Sequence, residues 1–192
     1  MSIFELIDAG DAASVQALIE RESDALGVRD DSGLSPLMHA AYRGRDAVFH
    51  TVAAHSSADP WDRLLLGESD GLPAPDAWTP DGFTGLHLAA FSGNVGAARS
   101  LLDAGADPNV LATASFAQVT PLGTCAFVGA NDVARLLLEH GARLDVFAAA
   151  MVGDAEAVKA VLDVHPEMRD ATGPHGIPLA AHATGAVREL FT

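Results

Sequence analysis

The sequence has one cysteine, one lysine and few aromatic side chains. Cys125 has no second cysteine with which to form an intramolecular disulfide, which is typical of proteins of a reducing compartment such as the cytoplasm. Aromatic residues make up 6% of the chain, whereas hydrophobic residues together make up 49%. The core is therefore predicted to consist of alanine, leucine and valine side chains, which suit closely packed short helices.

Positive charge is also scarce. Lysine and arginine number 11 against 26 aspartates and glutamates, so the formal net charge is −15. Nucleic acids and anionic lipid surfaces are bound through clustered Lys and Arg, and neither is predicted as a partner. The negative charge either keeps a helical protein soluble or complements a basic partner. Scarce lysine beside abundant alanine, glycine, aspartate and arginine is typical of GC-rich, bacterial genomes.

Long apolar runs are missing. No stretch approaches the roughly 18 apolar residues that are read as a membrane-spanning helix. The first residues, Met1 to Asp8, lack the basic residues and the long apolar run of a signal peptide. The sequence therefore predicts a cytoplasmic protein with no membrane partner.

Motifs of catalysis and cofactor binding are absent as well. The sequence contains no G-x-G-x-x-G, P-loop, G-x-S-x-G or H-E-x-x-H pattern. His50 and His55 are five positions apart and so do not share a helix face. His165, His175 and His182 show no metal-ligand spacing and have no cysteine partner. We therefore predict a protein that is not an enzyme and that has no catalytic residues, no cofactor and no metal site.

What the sequence does contain is one pattern that recurs along the chain and is best developed at 81–109. The pair Asp81-Gly82 favours a tight turn, and Thr84 can cap a helix that follows it. Gly93 and Gly105 are placed to end two successive short helices. Two helices of this length bury too little surface to be stable alone, so the unit requires similar units on both sides.

This stretch resembles an ankyrin repeat, whose pattern is D-G-x-T-P-L-H-x-A-A-x-x-G followed by a Leu-rich second helix and G-A-D-x-N. The resemblance implies an all-α fold, a right-handed ankyrin-repeat solenoid of about six helix pairs with short hairpin or turn fingers. The sequence departs from the family pattern at Gly85, where the family has proline. The six pairs are marked by glycines that end their first helices, namely Gly10, Gly44, Gly93, Gly129, Gly153 and Gly185.

The resemblance divides the single predicted domain, 1–192, into consecutive segments. They are an N-terminal capping helix pair (1–29), a repeat (30–55), an insertion or degenerate repeat (56–80), the near-consensus repeat (81–110), a further repeat (111–144), a fingerless repeat (145–170) and a truncated C-terminal repeat (171–192). Atypical terminal units are expected, because they cover the open ends of a stack.

Two interpretations of segment 56–80 remain open. Gly44 and Gly93 are 49 positions apart, whereas one ankyrin repeat takes about 33, so extra sequence lies between them. In the first interpretation the segment is a degenerate repeat that kept only its first helix, near Pro60. In the second it is an excursion that packs Trp61 or Trp78 against the flank of the stack.

The resemblance also implies where a partner docks and what two histidines do. Partners of ankyrin stacks dock on a concave face that is formed by the fingers and the exposed ends of the first helices. His87, in the T-x-L-H position, is expected to bond neighbouring hairpins, and His39 to pack or bridge in the corresponding region. Large side chains recur two positions before the marker glycines, and finger-base residues such as Val119 extend the strip. The predicted protein-binding residues are Leu34, Tyr42, Arg43, Phe83, Phe91, Ser92, Phe127, Val128 and Met151, with Leu65 added if the degenerate repeat exists.

The rings of this set have a second interpretation, in which they pack against the next repeat or beneath the fingers.

The predicted function is that of a monomeric, non-enzymatic module that binds a protein partner through its concave face. An alternative is an acidic regulatory or inhibitory subunit that occludes a basic site on an enzyme. A third alternative, an enzymatic activity carried by segment 56–80, has no motif to support it.

Overall fold

The computed structural model describes residues 1–22, 24–55, 59–115, 117–173 and 176–192. Within them short α-helices follow one another: α1 (Ile3–Ala9), α2 (Ala12–Arg21), α3 (Pro36–Tyr42), α4 (Asp46–Ala53), α5 (Pro60–Leu65), α6 (Gly85–Ser92), α7 (Val95–Asp103), α8 (Pro121–Val128), α9 (Asn131–Glu139), α10 (Val146–Val152), α11 (Ala155–Val164) and α12 (Leu179–His182). Two 3-10 segments, Pro166–Asp170 and Gly185–Phe191, follow α11 and α12. The all-α solenoid of helix pairs is confirmed.

The helix boundaries lie at the capping residues of the sequence. The side chains of Ser35, Thr120 and Asp145 accept hydrogen bonds from backbone amides in the first turns of α3, α8 and α10. The first helices end at glycines with a left-handed backbone, which a residue with a Cβ adopts only at a cost. These glycines include Gly10, Gly93, Gly129 and Gly153.

The first helices form one continuous layer. Consecutive contacts join α1 to α3, α3 to α5, α5 to α6, α6 to α8, α8 to α10 and α10 to α12. The second helices form an outer layer in which α2 contacts α4 and α7 contacts α9. Between α4 and α7 the described residues supply no second helix, so α5 lies in the inner layer without an outer partner.

The position of α5 bears on the two interpretations of segment 56–80. Leu64 is fully buried and Trp61 is partly buried against the main core, whereas Trp78 stays 42% exposed. We therefore infer a degenerate repeat that kept its first helix, because α5 stacks as the other first helices do. Its residues Ser56 to Ala58 lie outside the described part of the chain.

The core consists almost entirely of aliphatic side chains, as the composition predicts. A large cluster runs from Ile3 to Ala148, with fully buried members such as Leu37 and Leu137. A smaller cluster around Val158 and Leu179 joins the last units. Since each unit buries its apolar face against the next, the units stabilise one another.

The last unit differs from the predicted truncated repeat in its second helix. The sequence pattern predicts an α-helix that carries Val187, Leu190 and Phe191, but Gly185–Phe191 is 3-10. The Val187 amide donates to the Thr184 carbonyl three residues back, which is the tighter winding common in short final turns. The turn of this unit includes Pro174 and His175, which lie outside the described residues.

The departure at Gly85 from the family's proline has a steric explanation. A Cβ built on Gly85 would lie 3.0 Å from Leu101 Cδ1 and 3.6 Å from Pro73 Cγ. Pro73 belongs to the irregular connector that follows α5. A proline ring at this helix start would therefore crowd both the outer helix and the connector.

Gly82 allows the fingers of two neighbouring repeats to touch. Its φ is 93°, and a Cβ there would lie 2.7 Å from the Ala114 backbone nitrogen. Gly105 has a similar φ of 94° but nothing within 4 Å of its Cβ position. Gly82→Ala is therefore expected to destabilise the protein by about 1–3 kcal/mol more than Gly105→Ala, since both introduce left-handed strain but only the first adds a clash.

Urea denaturation of the two alanine variants measures this difference. Gly105→Ala is the matched control, because it carries the backbone strain alone. Equal losses for the two variants would show that the fingers do not pack as closely as described.

Candidate protein-binding groove

An apolar cavity of about 480 Å³ lies where the fingers meet the ends of the first helices. We call it the groove. Its lining runs from the finger before α3 to α12, so it crosses successive repeat units. The structure places most of the predicted binding residues along it, namely Leu34, Tyr42, Arg43, Phe83, Phe91, Phe127 and Met151, together with Val119.

Three residues of the predicted strip lie elsewhere. Ser92 follows Phe91 on α6 and points to the neighbouring unit, where its hydroxyl donates to the Leu64 carbonyl over 3.0 Å. Val128 follows Phe127 and does not line the groove. Leu65 is buried in the core at 9% exposure. The first two differ from their neighbours because successive residues on a helix are rotated by about 100° around its axis.

The aromatic side chains at the N-terminal end of the groove pack on one another across repeats. The Tyr42 and Phe91 rings meet edge to face with centroids 5.6 Å apart, and Phe83 lies 6.4 Å from Tyr42. These rings belong to successive first helices or fingers and still line the groove. The rings therefore pack on one another across repeats and also line the groove, and their contact with a partner stays a prediction.

Exposure varies strongly along the groove. Leu34 is only 7% exposed and packs in the core below the finger, although it also lines the groove. Phe127 is 66% exposed and Leu111 is 51% exposed. Exposed apolar side chains that adjoin an apolar cavity are typical of an interaction surface. The most accessible apolar part of the groove is thus around α8 and the connector before it.

Several residues that line the groove were not predicted from the sequence as binding residues. Leu111 lies in the long connector before α8, Phe147 on α10 and His182 on α12. Phe147 and His182 contact each other with ring centroids 5.5 Å apart. No local pattern marks these residues, since the connector, the fingerless unit of α10 and the last unit depart most from the repeat.

His87 joins two fingers beneath the groove, as the resemblance implied. Its Nε2–H donates to the Val119 carbonyl over 2.9 Å, and its Nδ1 lies 2.8 Å from the Thr84 hydroxyl oxygen. The Thr84 amide also donates to Nδ1, which completes a capping box for α6. Burial lowers the pKa of His87 from 6.5 to about 4, so the ring is neutral at pH 7.

His39 is a bridging histidine at the N-terminal end of the groove. Its Nδ1 lies 2.7 Å from Asp30 Oδ2, and its Nε2 lies 3.1 Å from Asp8 Oδ1. Arg43 Nε is also 3.1 Å from Asp8 Oδ1. The hydrogen bond from His39 lowers the pKa of Asp8. Burial raises the pKa of Asp30, but hydrogen bonds from His39 and two backbone amides outweigh it and lower that pKa as well.

The described residues offer little chemistry beyond hydrogen bonding and packing. They contain no group of three or more His, Cys, Asp or Glu side chains arranged to hold a metal ion. His175 lies outside them. The Cys125 thiol is buried, and burial raises its pKa to about 12, so it is not a reactive thiolate. Within the described part of the chain, no helix has the length and apolar character needed to cross a membrane.

Phe91 and Phe127 are expected to differ in their effect on stability. Phe91→Ala removes a half-buried ring that packs on Tyr42 and is expected to cost about 2–3 kcal/mol. Phe127→Ala truncates a side chain that is 66% exposed, and a change within about 0.5 kcal/mol is expected. Thermal denaturation of both variants tests this. A loss for Phe127→Ala as large as that for Phe91→Ala would mean that Phe127 belongs to the core.

Comparisons with known proteins relate the chain to a family model, to a sequence relative and to a solved structure. The family model "Ankyrin repeats (3 copies)" matches residues 4–112 and 50–148. The chain is 38% identical over 122 residues to the human neurogenic locus notch homolog protein 4; the match takes in 62% of this chain and only 6% of that protein. The crystal structure of the ankyrin repeat domain of Bcl-3 matches over 100% of this chain and 98% of that one, with a TM-score of 0.46 and 14% identity.

The family match extends over more than half of the chain and includes the groove-forming repeats from α3 to α9. Ankyrin repeats are generally protein–protein interaction modules. On the family match, this chain belongs to the ankyrin-repeat family.

Proposed function

We propose that the protein is a monomeric, cytoplasmic, non-enzymatic module that binds a segment of a protein partner in the groove. The observation that carries the proposal is the exposure of Phe127, 66%, and Leu111, 51%, beside an apolar cavity of about 480 Å³. Large exposed rings next to a preformed apolar recess are the features that anchor a partner at an interface.

The shape of the groove favours a chain segment over a compact small molecule. Its lining includes side chains of α3, α6, α8, α10 and α12, so a ligand that fills it has to extend across several repeats. Stacked first helices also hold these side chains rigidly, because each helix packs on its neighbours. A rigid surface lowers the entropy cost of binding an extended segment.

Affinity capture with matched variants tests the proposal. The wild-type protein and the two variants, Phe127→Glu and Leu138→Glu, are immobilised separately. The proteins that each of them captures are then quantified. Leu138 is 39% exposed on outer helix α9 and does not line the groove, so it controls for an added surface charge. A specific partner is expected to be lost with Phe127→Glu and retained with Leu138→Glu. Equal retention by both variants would contradict groove binding.

Salt distinguishes this function from the acidic inhibitory subunit that occludes a basic site. The formal charge of −15 makes that alternative an electrostatic association, which weakens steeply with ionic strength. Binding through the apolar groove is expected to survive at about 0.5 M salt, where the Debye length is only a few ångströms.

A further inference from the structure

His39 lies between two carboxylates that belong to different units of the stack. Its Nδ1 is 2.7 Å from Oδ2 of Asp30, in the finger before α3. Its Nε2 is 3.1 Å from Oδ1 of Asp8, in the last turn of the capping helix α1. The side chains of His39 and Asp30 are 9% and 13% exposed, so bulk water does not separate them. The imidazole therefore joins the N-terminal capping pair directly to the first finger.

The number of N–H donors on the ring decides which protonation state this geometry requires. A carboxylate only accepts hydrogen bonds, and a neutral imidazole carries a single N–H, so it can donate to only one of the two carboxylates. Its other nitrogen would then direct a lone pair at a negatively charged oxygen. An imidazolium donates from both nitrogens and satisfies both carboxylates with charge-assisted bonds.

Arg43 offers a competing arrangement. A neutral ring could donate from Nδ1 to Asp30 and accept at Nε2 from Arg43 Nε, which lies 3.5 Å away. That distance exceeds the usual N–H hydrogen-bond range of about 2.7–3.2 Å, whereas both carboxylate distances fall within it. Arg43 Nε is also closer to Asp8 Oδ1, at 3.1 Å. The geometry therefore favours the imidazolium.

The other charged groups near this contact are mostly anionic. The hydrogen bond from His39 is the main cause of the lowered pKa of Asp8, and Arg45 Nη2 donates to the backbone carbonyl of Asp8 over 2.7 Å. The next finger adds Asp81, whose pKa is raised mainly by burial and further by the charge of Asp30. A positive charge on His39 offsets the mutual repulsion of these carboxylates.

We propose that His39 is a proton-dependent latch, whose imidazolium fastens the N-terminal capping pair to the first finger and whose deprotonation releases it. Because the protonated ring is the fastened form, its stabilisation is present at lower pH and is lost as the pH rises. This sign is opposite to that of His87. Release loosens α1 and the N-terminal end of the groove, which Asp30 and His39 line. The inference does not depend on the proposed function.

Nuclear magnetic resonance of the 15N-labelled protein shows the protonation state of the ring directly, because protonated and bare ring nitrogens have different chemical shifts. The signals of His39 are assigned by their absence from the spectrum of His39→Gln. At pH 7 we expect two protonated nitrogens on His39 in the wild type. A protonated Nδ1 with a bare Nε2 would overturn the latch and support the arrangement with Arg43.

Asp8→Asn is the key variant, because asparagine keeps the shape of the side chain and removes its charge. It is expected to increase the neutral population of His39 at pH 7 about threefold or more, a modest change since Asp8 is half exposed. Asp103→Asn is the matched control, because Asp103 is exposed at the end of outer helix α7, and no change is expected. Equal neutral populations in Asp8→Asn and the wild type would contradict the latch.

Fast hydrogen exchange measures whether deprotonation also releases the capping pair. Protection factors are compared at one pH where His39 carries two protons and at one where it carries one, so that the intrinsic pH dependence of exchange cancels. Protection in α1 is expected to fall about tenfold in the wild type, as befits the loss of a charge-assisted hydrogen bond, while α7 changes little. In His39→Gln, α1 is expected to be equally protected at both pH values. Protection of α1 that does not change with pH in the wild type would overturn the latch.

Discussion

Replacing His87 with alanine is expected to lower the free energy of unfolding by about 3–5 kcal/mol. The side chain is 1% exposed, and its two ring nitrogens join Thr84 to Val119 of the next finger. Its removal leaves a cavity and also leaves the part-buried Val119 carbonyl and the buried Thr84 hydroxyl without this partner. The loss therefore combines a packing term with unsatisfied polar groups. Equilibrium urea denaturation measures it.

His140→Ala is the matched control for this substitution. His140 is exposed, and within the described residues the one hydrogen-bond partner of its Nδ1 is the Leu136 carbonyl of its own helix. A change within about 0.5 kcal/mol is expected for such a surface residue. Similar losses for the two alanine variants would show that the hydrogen bonds of His87 between the fingers add no stability beyond that of any imidazole on a helix.

The free energy of unfolding is also expected to fall by about 3 kcal/mol between about pH 6.5 and pH 4 on account of His87. Burial lowers its folded pKa from 6.5 to about 4. In this interval the unfolded chain binds a proton at His87 and the folded chain does not, so protonation favours unfolding. The contribution is fully present above pH 6.5 and is lost as the pH falls toward the folded pKa.

Comparison with His87→Gln isolates this contribution from other titrating groups. Glutamine keeps a side-chain amide near the fingers but does not titrate. Asp8 and Asp30, whose pKa values are lowered, lose their stabilising contributions at more acidic pH in both proteins. The wild type is expected to lose more stability than the variant between pH 6.5 and pH 4. Parallel pH profiles would contradict a neutral, buried His87.

The local parts of the architecture could be predicted from the sequence because each depends on a few neighbouring residues. Ser35, Thr120 and Asp145 are helix-capping side chains followed by apolar residues at helical spacing, and all three cap helices. His87 could be assigned from its place in the T-x-L-H pattern, because the resemblance to the family implies a histidine that bonds neighbouring hairpins.

The composition of the groove could be predicted only in part. The position two residues before a marker glycine identified Phe91, Phe127 and Met151, but periodicity alone did not separate Phe91 from Ser92 or Phe127 from Val128. Adjacent residues on a helix point toward different neighbouring units. Which unit each side chain contacts depends on how the units stack.

Residues contributed by irregular segments could not be predicted. Leu111 and His182 reach the groove from a long connector and from a four-residue helix. Their positions depend on tertiary contacts, such as that between Phe147 and His182, and not on a repeat. For α5 the sequence left two placements open, and the contacts of α5 with α3 and α6 favour the inner layer.

Site-specific photo-crosslinking tests most directly the claim that a partner docks in the groove. A photoreactive phenylalanine analogue replaces Phe127 in one version of the protein and Leu138, on the outer helix α9, in another. Both positions are exposed, so neither replacement should disturb the fold. We expect a discrete crosslinked partner from position 127 that an excess of unmodified protein suppresses, and none from position 138. A partner that crosslinks from position 138 and not from position 127 would contradict the claim.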